Sequence, residues 1–129
     1  MAGLTTGITK DANFMNLKEI GFDNIRQEVH GFLIEGEEIV AAYQTVRDQV
    51  IFTTMRIFVV NVQGLTGTKV SYFSYPYSKI QYYGIETAGL LDIDSEIVFV
   101  FSNGTVLQFD FKANVDIRRI SNLVSRFIL

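Results

Sequence analysis

Residues 96–128 read EIVFVFSNGTVLQFDFKANVDIRRISNLVSRFI, which is a strand, a turn, a second strand and then an apolar-striped helix. Asn103-Gly104, between Phe101 and Val106, suits a two-residue type I′ hairpin, whose central residues both need positive φ. Phe109 and Phe111 alternate with Gln108 and Asp110, the pattern of a half-buried strand. Apolar residues fall on both faces of Val98–Phe101, and one of these two strands is expected to meet another subunit or the terminal helix on its second face. Asn114 or Asp116 is placed to cap the helix. Ile117, Ile120, Leu123, Val124, Phe127 and Ile128 lie on one side of it. Arg118, Arg119, Asn122 and Arg126 take the other, with the late basic residues suiting the helix dipole. A helix with that stripe cannot offset its ordering entropy alone. It is expected to plug the open end of a barrel.

Upstream the same strand chemistry continues. Ile39–Val46, Val50–Thr54, Ile57–Val62, Lys69–Tyr75 and Ile80–Thr87 are rich in Val, Ile, Phe, Tyr and Thr. With Glu96–Ser102 and Thr105–Phe111 they make seven strands. The connections are too short for parallel crossovers, so the neighbours should be antiparallel. Gly64 and Gly67 offer two backbone sites for a reversal. Pro76, the one proline, cannot donate to a ladder and marks a strand end or an edge.

Toward the N-terminus the period changes. Residues 1–14 have none and read as a loosely tied arm. From Asn16 to Leu33, Leu17, Ile20, Ile25, Val29, Phe32 and Leu33 recur at three- and four-residue spacings, which predicts helix. Gly21 interrupts it and Asn24 with Gln27 forms a capping-box pattern, so two helical pieces or one bent one are expected. Residues 1–34 are therefore assigned to an N-terminal arm and helical segment, and 35–129 to the barrel domain.

At 129 residues the chain is the size of one domain. Hydrophobic residues make up 48%, with eleven Phe and six Tyr, and the mean hydropathy is +0.22. Such a composition fits an aromatic-rich β core, or apolar surface held for subunit contacts. A net charge of −3 and a pI near 5.0 argue against nucleic acid, which demands a basic stripe. They disfavour anionic lipid for the same reason. The absence of Cys excludes disulfides and thiolate metal sites. Met1–Lys10 lacks an apolar signal core and no run of 18 apolar residues occurs, so a soluble cytoplasmic protein is expected.

Catalytic patterns are weak. His30 is the one histidine, and no Ser or Cys triad has its partners. Asp92-Ile93-Asp94-Ser95-Glu96 resembles the start of a calcium loop, yet its sixth and twelfth positions hold Ile97 and Asn103 rather than Gly and Glu. Gly64-Leu65-Thr66-Gly67-Thr68-Lys69 lacks the spacing and ending of a phosphate loop. No metal and no cofactor is expected.

Arg47-Asp48, Phe52-Thr53 with Arg56, Gln63-Gly64-Leu65-Thr66-Gly67 with Lys69, Tyr75-Pro76-Tyr77-Ser78-Lys79-Ile80, and Glu86-Thr87-Ala88-Gly89 with Asp92 and Asp94 together carry a likeness. In that order they resemble the bacterial pleckstrin-homology-like family, over roughly residues 35 to 129. The resemblance implies a mainly β fold, a bent seven-stranded antiparallel barrel closed by a C-terminal helix. It also implies cyclic homo-oligomers whose barrels meet through their strands and bind a protein or peptide partner there. On that basis Arg47, Asp48, Thr53, Arg56, Gln63, Lys69, Glu86, Thr87, Asp92 and Asp94 are the candidate interaction residues. Lipid-binding pleckstrin-homology domains use several Lys and Arg in the first hairpin. Here Gln44–Phe52 offers only Arg47 beside Asp48, and Thr68 stands where relatives carry a second basic residue.

The leading expectation is accordingly a non-enzymatic, ring-forming module that binds a protein or peptide. The alternative is a membrane-surface adaptor that meets anionic lipid through Arg47, Arg56 and Lys69. An enzyme using Glu86 with Asp92 or Asp94 ranks below both.

Overall fold

The structure, a computed structural model, describes residues 12–67, 69–87, 94–112 and 115–129. All seven expected runs are strands, and an eighth precedes them. In chain order they are β1 (Ala12–Glu19), β2 (Ile39–Gln44), β3 (Gln49–Thr53), β4 (Arg56–Gln63), β5 (Lys69–Pro76), β6 (Ile80–Thr87), β7 (Ser95–Phe101) and β8 (Val106–Phe111). Two helices, α1 (Gln27–His30) and α2 (Ile117–Ile128), and two 3-10 turns, Phe22–Asn24 and Tyr77–Lys79, complete the described elements. The strands form one bent sheet in the order β5-β4-β3-β2-β1-β8-β7-β6. It does not close into a barrel, because β5 and β6 remain its edges. Every pairing is antiparallel except β1 with β8, which is parallel.

Strand β1 corrects the helix expected from Asn16 onward. Its register on β8 shifts between Phe14 and Leu17, and Asn16 between them adopts φ 60°. The extra residue of that bulge turns Phe14 and Leu17 to the same buried face. A bulged strand thereby reproduces the three-residue apolar spacing of a helix. The helical part of the segment shrinks to α1 and the turn at Phe22–Asn24. The expected capping box is absent, since α1 has Arg26 as N-cap and no side-chain cap. Gln49 braces this region from β3 instead: its amide donates to the Asn24 carbonyl at 2.9 Å and accepts from the Arg26 N–H at 3.0 Å.

One face of the sheet and α2 enclose the main core, in which Tyr43, Phe52, Phe99, Phe109 and Phe111 are fully buried. Their rings meet edge-on or tilted at 5.0–6.5 Å, geometries that suit the ring quadrupole. On the opposite face Ile25 and Val29 cover Ala42, Ile51, Phe58 and Val60. This explains why every residue of β3 is buried: the segment after β1 roofs its outer face. On β7 the alternation is clean, with Glu96, Val98 and Val100 half-buried on the outer side.

Helix α2 begins at Asp116, whose carboxylate accepts from the Arg118 N–H at 3.1 Å. Asn114, the other expected cap, lies outside the described residues. Ile120 and Val124 are buried in the main core, and Ile117, Leu123, Phe127 and Ile128 pack against it. Phe127 stacks on Tyr77 at 5.5 Å and 8°. The Tyr83 hydroxyl bonds to Ser121 Oγ at 2.8 Å, and Arg119 reaches Glu19 of β1 at 3.0 Å. The helix is thus fixed to both halves of the sheet.

The β7–β8 hairpin differs from the expected type I′ turn. Of its loop residues only Gly104 has positive φ, at 90°. The Phe101 N–H donates to Thr105 at 2.9 Å and the Gly104 N–H to Phe101 at 2.8 Å. The loop therefore has three residues with a glycine in the left-handed position. Gly64 and Gly67, at φ 81° and 69°, turn β4 into β5 as expected.

Candidate functional site

The candidate residues fall into three places. Arg47 and Asp48 form the tip of the β2–β3 hairpin, and Gln63 and Lys69 face each other across the end of the β4–β5 ladder. These four are brought together. The Arg47 guanidinium donates to the Gly64 carbonyl, while Asp48 accepts from the Val62 N–H at 2.9 Å and from the Asn61 amide at 3.4 Å. At the two joined tips Val46 and Leu65 are fully exposed.

Thr53 and Arg56 lie at the other end of the β3–β4 hairpin, engaged inside the chain. Glu37, with its side chain fully buried, receives Arg56 Nε at 2.8 Å on one oxygen and Arg56 Nη2 at 2.7 Å on the other. Thr53 Oγ1 donates to Glu37 at 2.7 Å and accepts the Met55 and Arg56 N–H groups at 3.0 Å each. Arg56 also donates to the Phe32 carbonyl at 2.7 Å and covers the Phe58 ring at 4.2 Å. Burial pushes the Glu37 carboxyl up, and this is outweighed by the hydrogen bonds from Arg56, Thr53 and the Ile34 N–H and by the Arg56 charge, which together hold it down at about 2. The Tyr77 hydroxyl closes the network by donating to the Thr53 carbonyl at 2.7 Å. This knot ties the segment before β2 to the hairpin.

Glu86, Thr87 and Asp94 occupy the third place, where β6 ends and β7 begins; Asp92 lies outside the described residues. Glu86 stands opposite Glu96, and Glu96 opposite Asp110, so three carboxylates cross β6, β7 and β8 in one row. The row is on the outer face, because Ile97, Phe109 and Phe111 occupy the core face. The Gln108 amide donates to Glu96 and Asp110 at 3.0 Å each. A hydrogen bond with Glu86, burial, and the Asp110 charge push Glu96 up to about 7. Among the described residues no cation pairs with the row, and no group of three or more His, Asp or Glu is arranged to hold a metal ion.

Beside the row runs the β6 edge. Strand β6 pairs with β7 alone among the described residues. Ile80 to Ile85 carry no charge, and Tyr82, 59% exposed, and Ile85, 40% exposed, leave apolar surface there. Unprotected edges of this kind are templates for another chain. Sequence reasoning passed over Glu37, Glu96, Asp110 and Tyr82. The signal for the carboxylate row was the hairpin register, since a three-residue loop sets Glu96 against Asp110 and a two-residue loop does not.

An eight-stranded bent sheet packed against one C-terminal helix defines a pleckstrin-homology-like domain. Residues 8–128 match the family Bacterial PH domain, and the chain belongs to that family. It is similar to a DUF1696 family protein with a pleckstrin-homology domain from Shewanella loihica PV-4, at 34% identity and TM-score 0.78 over 89% of this chain and 99% of that one. A pleckstrin homology domain from Shewanella amazonensis SB2B gives 34% identity and TM-score 0.66 over 85% and 90%. Uncharacterized protein YjqA of Bacillus subtilis is 42% identical over 73 residues, 57% of this chain and 58% of YjqA; the matched stretch thus spans little more than half of that relative. Among the described residues no helix is long and apolar enough to cross a membrane.

Proposed function

We propose that this chain is a non-enzymatic interaction module of the cytoplasm that assembles into a cyclic homo-oligomer through its sheet edges. A protein or peptide partner is then held on the polar surface at the junction between protomers. The observation that carries the reading is the β6 edge, unpaired among the described residues, uncharged from Ile80 to Ile85, and bearing exposed Tyr82. The second edge, β5, offers a complementary ladder on the far side of the sheet. Joining two different edges is a head-to-tail contact, which closes into a ring when the rotation permits. Glu86 and Asp94 border that junction and supply its polar part. Multi-angle light scattering on the purified chain tests assembly, and a strictly monomeric species at micromolar concentration would count against it.

The membrane-adaptor reading draws support from one feature. Val46 and Leu65 are fully exposed on two linked hairpin tips beside Arg47 and Lys69, as in a surface that inserts apolar tips under a cationic collar. Arg56 drops out of that surface, its charge being committed to Glu37. Co-sedimentation with phosphatidylserine vesicles, lost in Leu65→Ser with Arg47→Glu and weakened by salt, supports this reading; no pelleting at low salt removes it.

A further inference from the structure

Three of the six arginines of this acidic chain stand on one helix of twelve residues. Arg118, Arg119 and Arg126 of α2 rim a groove of about 540 Å³ whose apolar lining is Val40, Leu123 and Phe127. Of the other arginines, Arg47 is committed to the Gly64 carbonyl and Arg56 to Glu37, while Arg26 is the partly buried N-cap of α1. Arg119 is held by Glu19. Arg118 and Arg126 are exposed, and among the described residues their guanidinium groups have no ion-pair or hydrogen-bond partner. Asp116, the one carboxylate on the rim, is turned to the helix as its cap. A helix-dipole role accounts for Arg126 in the last turn and leaves Arg118, in the first, unexplained.

We propose that this groove binds an acidic protein segment in extended conformation, with an apolar side chain seated between two carboxylates. The spacing follows from the helix. Arg118 and Arg126 are eight residues apart, about 12 Å along the axis at 1.5 Å per residue. In an extended strand, residues i and i+4 share a face and lie about 13 Å apart, with i+2 projecting between them. The sequence that fits is therefore acid-x-apolar-x-acid, its carboxylates taken by Arg118 and Arg126 and its central side chain laid on Leu123 and Phe127. Arginine suits this role because its planar fork donates two parallel N–H groups to the two oxygens of a carboxylate. The surface is separate from the β6 edge, and its partner differs in kind from a second copy that pairs strands.

The test uses the full chain, labelled with 15N, and the peptide Gly-Glu-Ser-Leu-Ser-Glu-Gly. Titration should move amide resonances of residues 116–129 and Val40, and the movement should weaken as salt rises. Arg118→Glu with Arg126→Glu should weaken binding roughly tenfold or more, equivalent to about 1.4 kcal/mol. Both side chains are exposed, and an unchanged amide spectrum of that variant without peptide establishes that it folds. Replacing the central Leu by Ser should weaken binding as well, and replacing both Glu by Lys should abolish it. No shifts at millimolar peptide, shifts confined to the hairpin tips, or equal binding by the Lys peptide would each overturn the proposal. So would helix-dependent pelleting with phosphatidylserine vesicles in the absence of any peptide response.

Discussion

Two carboxylates with opposed electrostatics dominate the residue scale. Glu37 is buried against Arg56 and Thr53, and taking it away leaves a guanidinium facing its emptied partner site. Complete burial of such a pair makes the loss of one partner cost about 3–5 kcal/mol. Arg56 keeps 20% of its side chain in solvent, so Glu37→Ala is expected to cost about 2–3 kcal/mol in urea unfolding. Because its folded pKa is near 2 and its ordinary value 4.5, Glu37 stabilises the fold fully above about pH 4.5, and that contribution fades as pH falls toward 2. Glu96 slopes the other way. Its carboxyl titrates near 7 in the fold and near 4.5 otherwise, so between those values the folded chain binds the extra proton and stability falls as pH rises. Glu96→Gln should accordingly raise the melting temperature at pH 8 and leave it little changed at pH 4.5; a variant equally stabilised at both would contradict the origin assigned to the shift. Glu96 was legible only through the register of the β7–β8 hairpin, and Glu37 was not legible at all. Glu37 lies in the run Glu35-Gly36-Glu37-Glu38, whose composition suggests solvent exposure, and its burial depends on Arg56, nineteen positions away.

At the scale of the element, local chemistry was informative where one period governed and misleading where a bulge broke it. The strands β2 to β8 and helix α2 follow from alternation, turn residues and one apolar stripe, and their order gave the fold class. Strand β1 did not, because the bulge at Asn16 sets Phe14 and Leu17 three apart on one face. Its pairing to β8, parallel and nearly a hundred residues distant, leaves no local trace. Two consequences can be measured. Removing residues 114–129 strips Ile120 and Val124 from the main core and should leave an aggregated or non-cooperative chain, whereas a soluble, cooperative, sheet-rich product would contradict the plugging role of α2. Leu17→Asp should be equally damaging. Leu17 is fully buried, so an unpaired carboxylate there should cost several kcal/mol or drive β1 out of the sheet. Unchanged unfolding in urea would show that β1 is dispensable.

For the whole molecule, the excess of apolar residues is partly explained within one chain. The segment carrying Ile25 and Val29 buries the outer faces of β2, β3 and β4, a second core that composition alone could not distinguish from a subunit contact. Apolar surface is also left at the hairpin tips, on Val46 and Leu65, and on the β6 edge, on Tyr82 and Ile85 next to a row of three carboxylates. The candidate residues drawn from the family likeness divide accordingly: Thr53 and Arg56 brace the chain internally, Arg47, Asp48, Gln63 and Lys69 gather at the hairpin tips, and Glu86, Thr87 and Asp94 lie where β6 ends and β7 begins. Gly84 of β6 has open space where a side chain would stand, so Gly84→Lys places a charge on that edge without disturbing the core. Light scattering of the wild type and of this variant, side by side at equal concentration, tests edge-directed assembly most directly. The wild type should be a single multiple of the 14.6 kDa chain and Gly84→Lys a folded monomer; a monomeric wild type, or a variant that keeps the wild-type mass, would contradict it.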